Sequence, residues 1–89
     1  MPTCYFLVQT APGAAGRVAA HARALPPVDW ADAVTGSYDV LARAVGDRDE
    51  LAEVSVALRR RCEVERVLIC TPGALAPVRS EEARVPAPR

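Results

Sequence analysis

The apolar positions change their period along the chain, and each change marks an element. Thr3-Cys4-Tyr5-Phe6-Leu7-Val8-Gln9-Thr10 is rich in aromatic and β-branched residues and ends before Pro12-Gly13, which predicts a strand. From Ala14 to Leu25 the spacing becomes helical. Val18, Ala22 and Leu25 fall on one stripe, and alanine fills much of the remainder. Pro26-Pro27 stops this helix, because proline has no amide hydrogen and restricts the residue before it. Val28 to Thr35 predicts a second strand and Tyr38 to Val45 a third. Thr35-Gly36-Ser37-Tyr38 between them reads as a two-residue II′ hairpin with Gly36 at its first central position. After Gly46, Asp47 can cap a second helix and Glu50 complete a capping box. Leu51, Val54, Leu58 and Cys62 form its apolar stripe. Arg59-Arg60-Arg61 falls in its last turn, where cations suit the helix dipole better than they suggest a nucleic-acid patch. Glu65 to Thr71 predicts a fourth strand, stopped by Pro72-Gly73. The folded domain is thus expected over residues 1–72. Residues 73–89, proline-rich and of mixed charge, are expected to form a disordered tail.

The order βαββαβ constrains the topology. Both crossovers must be right-handed, which places the two helices on one face of a four-stranded antiparallel sheet. This is the ferredoxin-like α+β arrangement. The other face would meet water and should be polar at alternate positions, but the strands do not provide such a face. Tyr5 and Leu7 oppose Cys4, Phe6 and Val8; Val40, Ala42 and Ala44 oppose Leu41 and Val45, with Arg43 the only charge; Val67 and Ile69 oppose Leu68 and Cys70. Both faces are apolar, so the open one is expected to be buried in a dimer or a higher oligomer. A domain of about 70 residues buries only about 60% of its unfolded surface. A standard interface of about 800 Å² per chain would stabilise it materially. Trp30, Phe6 and Val8 are the expected interface contacts.

Composition narrows the function. Eleven basic residues, all arginine, balance eleven acidic ones in 89 residues, so the formal net charge is zero. Direct binding to nucleic acid normally needs a basic excess. Cys4, Cys62 and Cys70 are odd in number and lack a C-x-x-C spacing, which argues against a secreted disulfide scaffold. The run Tyr5–Val8 is too short for a signal peptide, and no stretch reaches the roughly 18 apolar residues of a membrane span. A cytoplasmic protein is the expectation.

Evidence for catalysis is thin. The chain has no Gly-rich phosphate loop, no metal-spaced His/Cys cluster and no nucleophile elbow. No cofactor and no metal are expected. His21 lies near the edge of the first helix's apolar stripe, and Cys62 lies beside arginine and glutamate. Either could be reactive, though both read more simply as ordinary helix residues. Trp30 could wall a ligand or anchor a subunit contact. The most informative stretch is Val34-Thr35-Gly36-Ser37-Tyr38-Asp39. There a turn with free amides stands beside a phenol and a carboxylate. Turn amides can hold a carboxylate and Asp39 an ammonium group, which together suit a zwitterion such as an amino acid. An ordinary hairpin with a polar rim has the same residues.

Several segments resemble one family in sequence and order. Leu7-Val8-Gln9-Thr10, Pro12-Gly13, Arg23-Ala24-Leu25-Pro26, Val34-Thr35-Gly36-Ser37-Tyr38-Asp39 and Val64-Glu65-Arg66 look like the effector-binding (RAM) domain of Lrp/AsnC regulators, over about residues 3–71. The Gly-x-Tyr-Asp hairpin is the most specific piece. The resemblance implies a ferredoxin-like unit that dimerises through its sheets and assembles further, into octamers or similar rings. It also implies that amino acids bind where dimers meet. On this reading Gly36, Ser37, Tyr38 and Asp39, with Cys70 and Thr71 from the last strand, are the ligand-binding residues. Full-length members carry a helix-turn-helix for DNA, and this chain resembles the stand-alone form. Its effect on transcription would be indirect, through mixed assembly with a helix-turn-helix relative. Ser37 stands where an acidic residue is common, and Arg61-Cys62-Glu63 replaces the usual Leu-Pro-Gly. The alternatives are a small dimeric enzyme of monooxygenase or decarboxylase type using His21 or Tyr5, and a purely structural assembly domain.

Overall fold

The computed structural model describes residues 2–71. The elements are β1 (Thr3–Thr10), α1 (Ala15–Arg23), β2 (Val28–Ala33), β3 (Val40–Val45), α2 (Arg48–Arg59) and β4 (Val64–Cys70). The sheet order is β2-β3-β1-β4 with antiparallel neighbours, so the ferredoxin-like expectation holds. The expected tail, residues 73–89, lies outside the described residues.

The two helices cover one face. Phe6 and Val8 of β1, Val40, Ala42 and Ala44 of β3, and Ala31 of β2 are buried against Val18, Ala19 and Ala22 of α1 and Leu51, Val54 and Leu58 of α2. Small residues on both sides, Ala31, Ala42 and Ala44 against Ala19 and Ala22, let α1 sit close on β2 and β3; larger side chains there would overpack. The α2 N-terminus has the expected capping box: Asp47 Oδ1 accepts from the Glu50 amide at 2.8 Å, and Glu50 Oε1 accepts from the Asp47 amide at 2.8 Å. Arg59 sits in the last turn, and Arg61 makes a paired contact with Glu63 at 3.0 Å just beyond it.

Several expectations need correction. Phe6 and Val8 have no exposed surface and belong to the core beneath the helices, so neither can meet another chain. Their alternation partners, Tyr5 and Leu7, lie on the open face. Period alone separates two faces without saying which of two apolar ones the helices take. Cys62 lies past the end of α2 and is exposed, so it is not part of the buried stripe. The helix α1 stops at Arg23, before Leu25. The β2–β3 connection is also longer than a II′ turn. The strand pairing ends at Ala33 and Val40, and the Val34 amide donates to the Asp39 carbonyl at 2.8 Å, leaving Thr35–Tyr38 as the loop. Gly36 has φ +127°, a region open to glycine and strained for other residues.

Candidate functional site

The hairpin loop is held in place from β1. Gln9, at the polar end of an otherwise apolar strand, donates from Nε2 to the Ser37 carbonyl at 2.9 Å. The Asp39 amide donates to the Val8 carbonyl at 2.8 Å, and Asp39 Oδ2 accepts the Thr10 amide at 2.9 Å. Thr10 is buried although polar, and its hydroxyl donates to the Ala11 carbonyl at 3.0 Å. The loop therefore closes on β1 through three separate hydrogen bonds. Gly36 and Ser37 are exposed, and Tyr38 and Asp39 are half-buried. Among the described residues, no acceptor takes the Gly36 or Ser37 amide and no donor takes Asp39 Oδ1. One end of the loop thus offers donors and the other an acceptor, the pattern a zwitterion needs. The sequence pointed to Gly36–Asp39 but not to Gln9 or Thr10. The break in apolar alternation at Gln9 was the available signal.

Cys70 and Thr71 lie elsewhere. Cys70 pairs with Tyr5, near the start of β1, whereas the loop is tied to its end. The separation is about five residues of extended strand, or about 17 Å at about 3.3 Å per residue. The protomer does not bring these two parts of the expected ligand set together. Cys4 Sγ and Thr71 Oγ1 are 3.9 Å apart, a local contact at the far end of the sheet.

The open face carries a second polar group. A bulge in β2, where the register shifts between Val28 and Trp30, brings Asp29 beside Arg43 of β3. Arg43 donates from Nε to Asp29 Oδ1 at 2.9 Å and from its terminal nitrogen to Oδ2 at 2.8 Å. That hydrogen bonding is the main reason the Asp29 carboxyl lies below its usual range. Asp29 first, and Tyr5 second, raise the Arg43 guanidinium above its own usual value. Trp30, opposite Arg43, is 44% exposed at the rim.

The residues considered for catalysis do not meet. Tyr5 is on the open face, whereas His21 is half-buried on α1, on the other side of the sheet. His21 lines an open groove of about 480 Å³ with Ala57, Arg60, Arg61, Cys62 and Glu63. Its Nε2 is buried without a hydrogen-bond partner among the described residues. Glu63, hydrogen-bonded by Arg61 and by Arg17, lies below the usual carboxylate range chiefly through Arg61. Among the described residues, no three His, Cys, Asp or Glu side chains group to hold a metal ion. No described helix is long and apolar enough to cross a membrane.

No protein-family model matches the sequence, and no curated protein matches it. Solved structures do. The chain is similar to the protein TTHA0845 from Thermus thermophilus, with a TM-score of 0.76 and 25% identity, covering 86% of this chain and 99% of that one. It is similar to FFRP-DM1, with a TM-score of 0.71 and 26% identity over 79% of this chain and 96% of that one. A hypothetical protein from Pyrococcus horikoshii, PHS023, shares the fold at a TM-score of 0.73 and 23% identity, over 96% and 100% of the two chains. Together these support a small ferredoxin-like domain related in structure to FFRP-DM1.

Proposed function

We propose that the chain is a small-molecule effector-binding and oligomerisation module, similar to the ligand-sensing domain of Lrp/AsnC regulators, and that it is not an enzyme. The observation that carries this reading is the β2–β3 loop. It is fixed on β1 by Gln9 and Asp39, and it leaves the Gly36 and Ser37 amides and Asp39 Oδ1 without partners. In this role the amides take the carboxylate of an amino acid, Asp39 takes its ammonium group, and Tyr38 supports the wall. Cys70 and Thr71 lie too far away in one protomer, so they would join the pocket from another chain, at a junction between dimers in an octamer-like assembly. Such a module needs neither nucleic acid nor membrane. It would act in the cytoplasm, through mixed assembly with a helix-turn-helix relative.

A thermal-shift screen of the standard amino acids at millimolar concentration tests this reading. At least one should raise Tm, because binding to the folded state alone stabilises it by mass action. Asp39→Asn keeps an oxygen for the Thr10 amide but loses the charge. It should leave the ligand-free Tm within about 2 °C, a shift worth less than 1 kcal/mol in a domain this small, while abolishing the ligand response. A flat response of the unmodified protein to every amino acid would remove the sensing role.

A further inference from the structure

The helical side of the molecule is incompletely covered. Ile69 pairs with Phe6, so it shares the face the helices take, yet it is 42% exposed at the end of β4. Val56, on the solvent side of α2, is 49% exposed. A groove runs past it along α2. Its middle, of about 370 Å³, is lined by Ala52, Glu53, Val56, Ala57 and Arg60. Toward the α2 N-terminus it continues past Glu53 to Glu50, and toward the C-terminus past Arg60 to the space beside His21. The groove is thus apolar in the middle, acidic at one end and basic at the other. Glu50 is committed to the helix cap and Arg61 to Glu63. Glu53 and Arg60 have no oppositely charged partner among the described residues. The chain leaves β4 at the acidic end. Cys70 is level with Tyr5 and Tyr5 with Arg43, and the Gly46 amide, just before the α2 cap, donates to the Pro2 carbonyl at 3.2 Å. The end of β4 and the start of α2 therefore lie at the same end of the sheet.

We propose that the α2 groove is the docking site of this chain's own C-terminal segment, residues 74–82, with Arg79 set at Glu53 and Glu81-Glu82 at Arg60. The order of charges carries the assignment. A segment entering at the acidic end presents Ala74-Leu75-Ala76-Pro77-Val78 first, then Arg79, then Glu81-Glu82. Arg79 thus reaches the acidic end before the two glutamates reach the basic one. The spacing agrees. Glu53 and Arg60 are seven residues apart on a helix, about 10 Å, and Arg79 and Glu82 are three residues apart, about 10 Å in extended chain. Leu75 and Val78 supply apolar side chains for Ile69 and Val56. The reach is sufficient: seven residues, 72–78, span up to about 23 Å, and the helix layer to be crossed is one helix diameter, about 10–12 Å. Pro72-Gly73 favours a turn directly after β4. Because the segment is tethered, its effective concentration is on the order of millimolar, so a contact too weak to hold a free peptide is enough. A groove with an acid at one end and a base at the other suits neither a nucleic-acid backbone nor an anionic membrane.

The test is heteronuclear NMR relaxation of the full chain, read as backbone order parameters of residues 74–82. The samples are the unmodified protein, Glu53→Arg, Arg79→Glu, Arg60→Glu and the double variant carrying both Glu53→Arg and Arg79→Glu. In the unmodified chain the values should approach the rigid level of about 0.85, and each single reversal should lower them below about 0.6. The double variant restores the Glu53–Arg79 pair with its signs exchanged and should return them toward the rigid level. Glu53 and Arg60 are exposed, and the amide shifts of β1 check that each variant is folded. Values below about 0.6 in the unmodified chain would overturn the proposal and leave the tail disordered, as its composition predicts. Rigid values that ignore every reversal, or a double variant no more ordered than the singles, would also overturn it, since the segment would then be held elsewhere. Ordering lost on tenfold dilution would overturn it in favour of a tail donated by a second copy. None of these outcomes bears on the sensing module, whose amino-acid response is read separately.

Discussion

The two faces of the sheet are built from the same strands and nearly the same residue types, yet they have different fates. Under the helices, Phe6, Val8, Val40, Ala42 and Ala44 are completely buried. On the other side, Tyr5, Leu7, Leu41 and Val45 are only half-buried, and among the described residues no further element covers them. The covered face is small at its centre, so a helix can approach closely. The open face is bulkier and carries its single internal arginine in a two-point ion pair. A face meant for water would use its charges singly and keep its apolar residues few. The difference teaches that apolar content marks both faces for burial, while side-chain size and charge pairing decide what covers each.

That contrast can be broken by substitution, and the largest effect is expected in the covered face. Phe6→Ala removes a fully buried ring and should destabilise the protomer by about 3–5 kcal/mol in urea unfolding. Leu7→Ala, measured on dilute protein, should cost well under half as much. Equal losses would erase the distinction between the faces. Next comes association. Leu7→Asp should leave a folded protomer with native far-ultraviolet dichroism but abolish self-association in sedimentation, because it places an unpaired charge at the centre of the apolar patch.

A smaller effect, confined to the helical side, is expected from the α2 cap. Asp47→Ala should cost about 1 kcal/mol in thermal or chemical unfolding and leave association unchanged. The smallest is the response to acid. Glu63 and Asp29 have folded-state values below their usual 4.5 and 3.8, through Arg61 and Arg43 respectively. A carboxyl whose value falls on folding stabilises fully above its unfolded value, and that contribution disappears as the pH drops through the folded one. Stability should therefore decline on acidification below about pH 4.5, and Glu63→Gln should flatten the upper part of the decline, as seen in pH-dependent melting. The Asp29–Arg43 pair is exposed and the Arg61–Glu63 pair only partly buried, so solvent screens both and the change should be slight.

Much of this architecture was legible in the sequence. The breaks at Pro12-Gly13, Pro26-Pro27, Gly36 and Gly46 separated β1, α1, β2, β3 and α2 from one another, because proline and glycine interrupt regular backbone structure. Asp47 and Glu50 announced α2 because capping is a local interaction. What was hidden is non-local. The assignment of Phe6 and Val8 to the core depends on which side the helices cross. The Asp29 bulge depends on pairing with β3. The true length of the β2–β3 loop depends on Gln9 of β1 reaching the loop and on Asp39 reaching β1, and no turn propensity encodes that. The distance between the loop and Cys70 follows from the β1–β4 register, which spacing along the chain does not reveal.

The central claim is that the open face of the sheet meets a second copy of the chain, since a pocket shared between chains requires it. Sedimentation velocity of the unmodified protein across the micromolar range tests this most directly. A dimer or larger species that dissociates only on dilution, and that Leu7→Asp converts to a folded monomer, is the predicted result. A well-folded monomer at every concentration would contradict it.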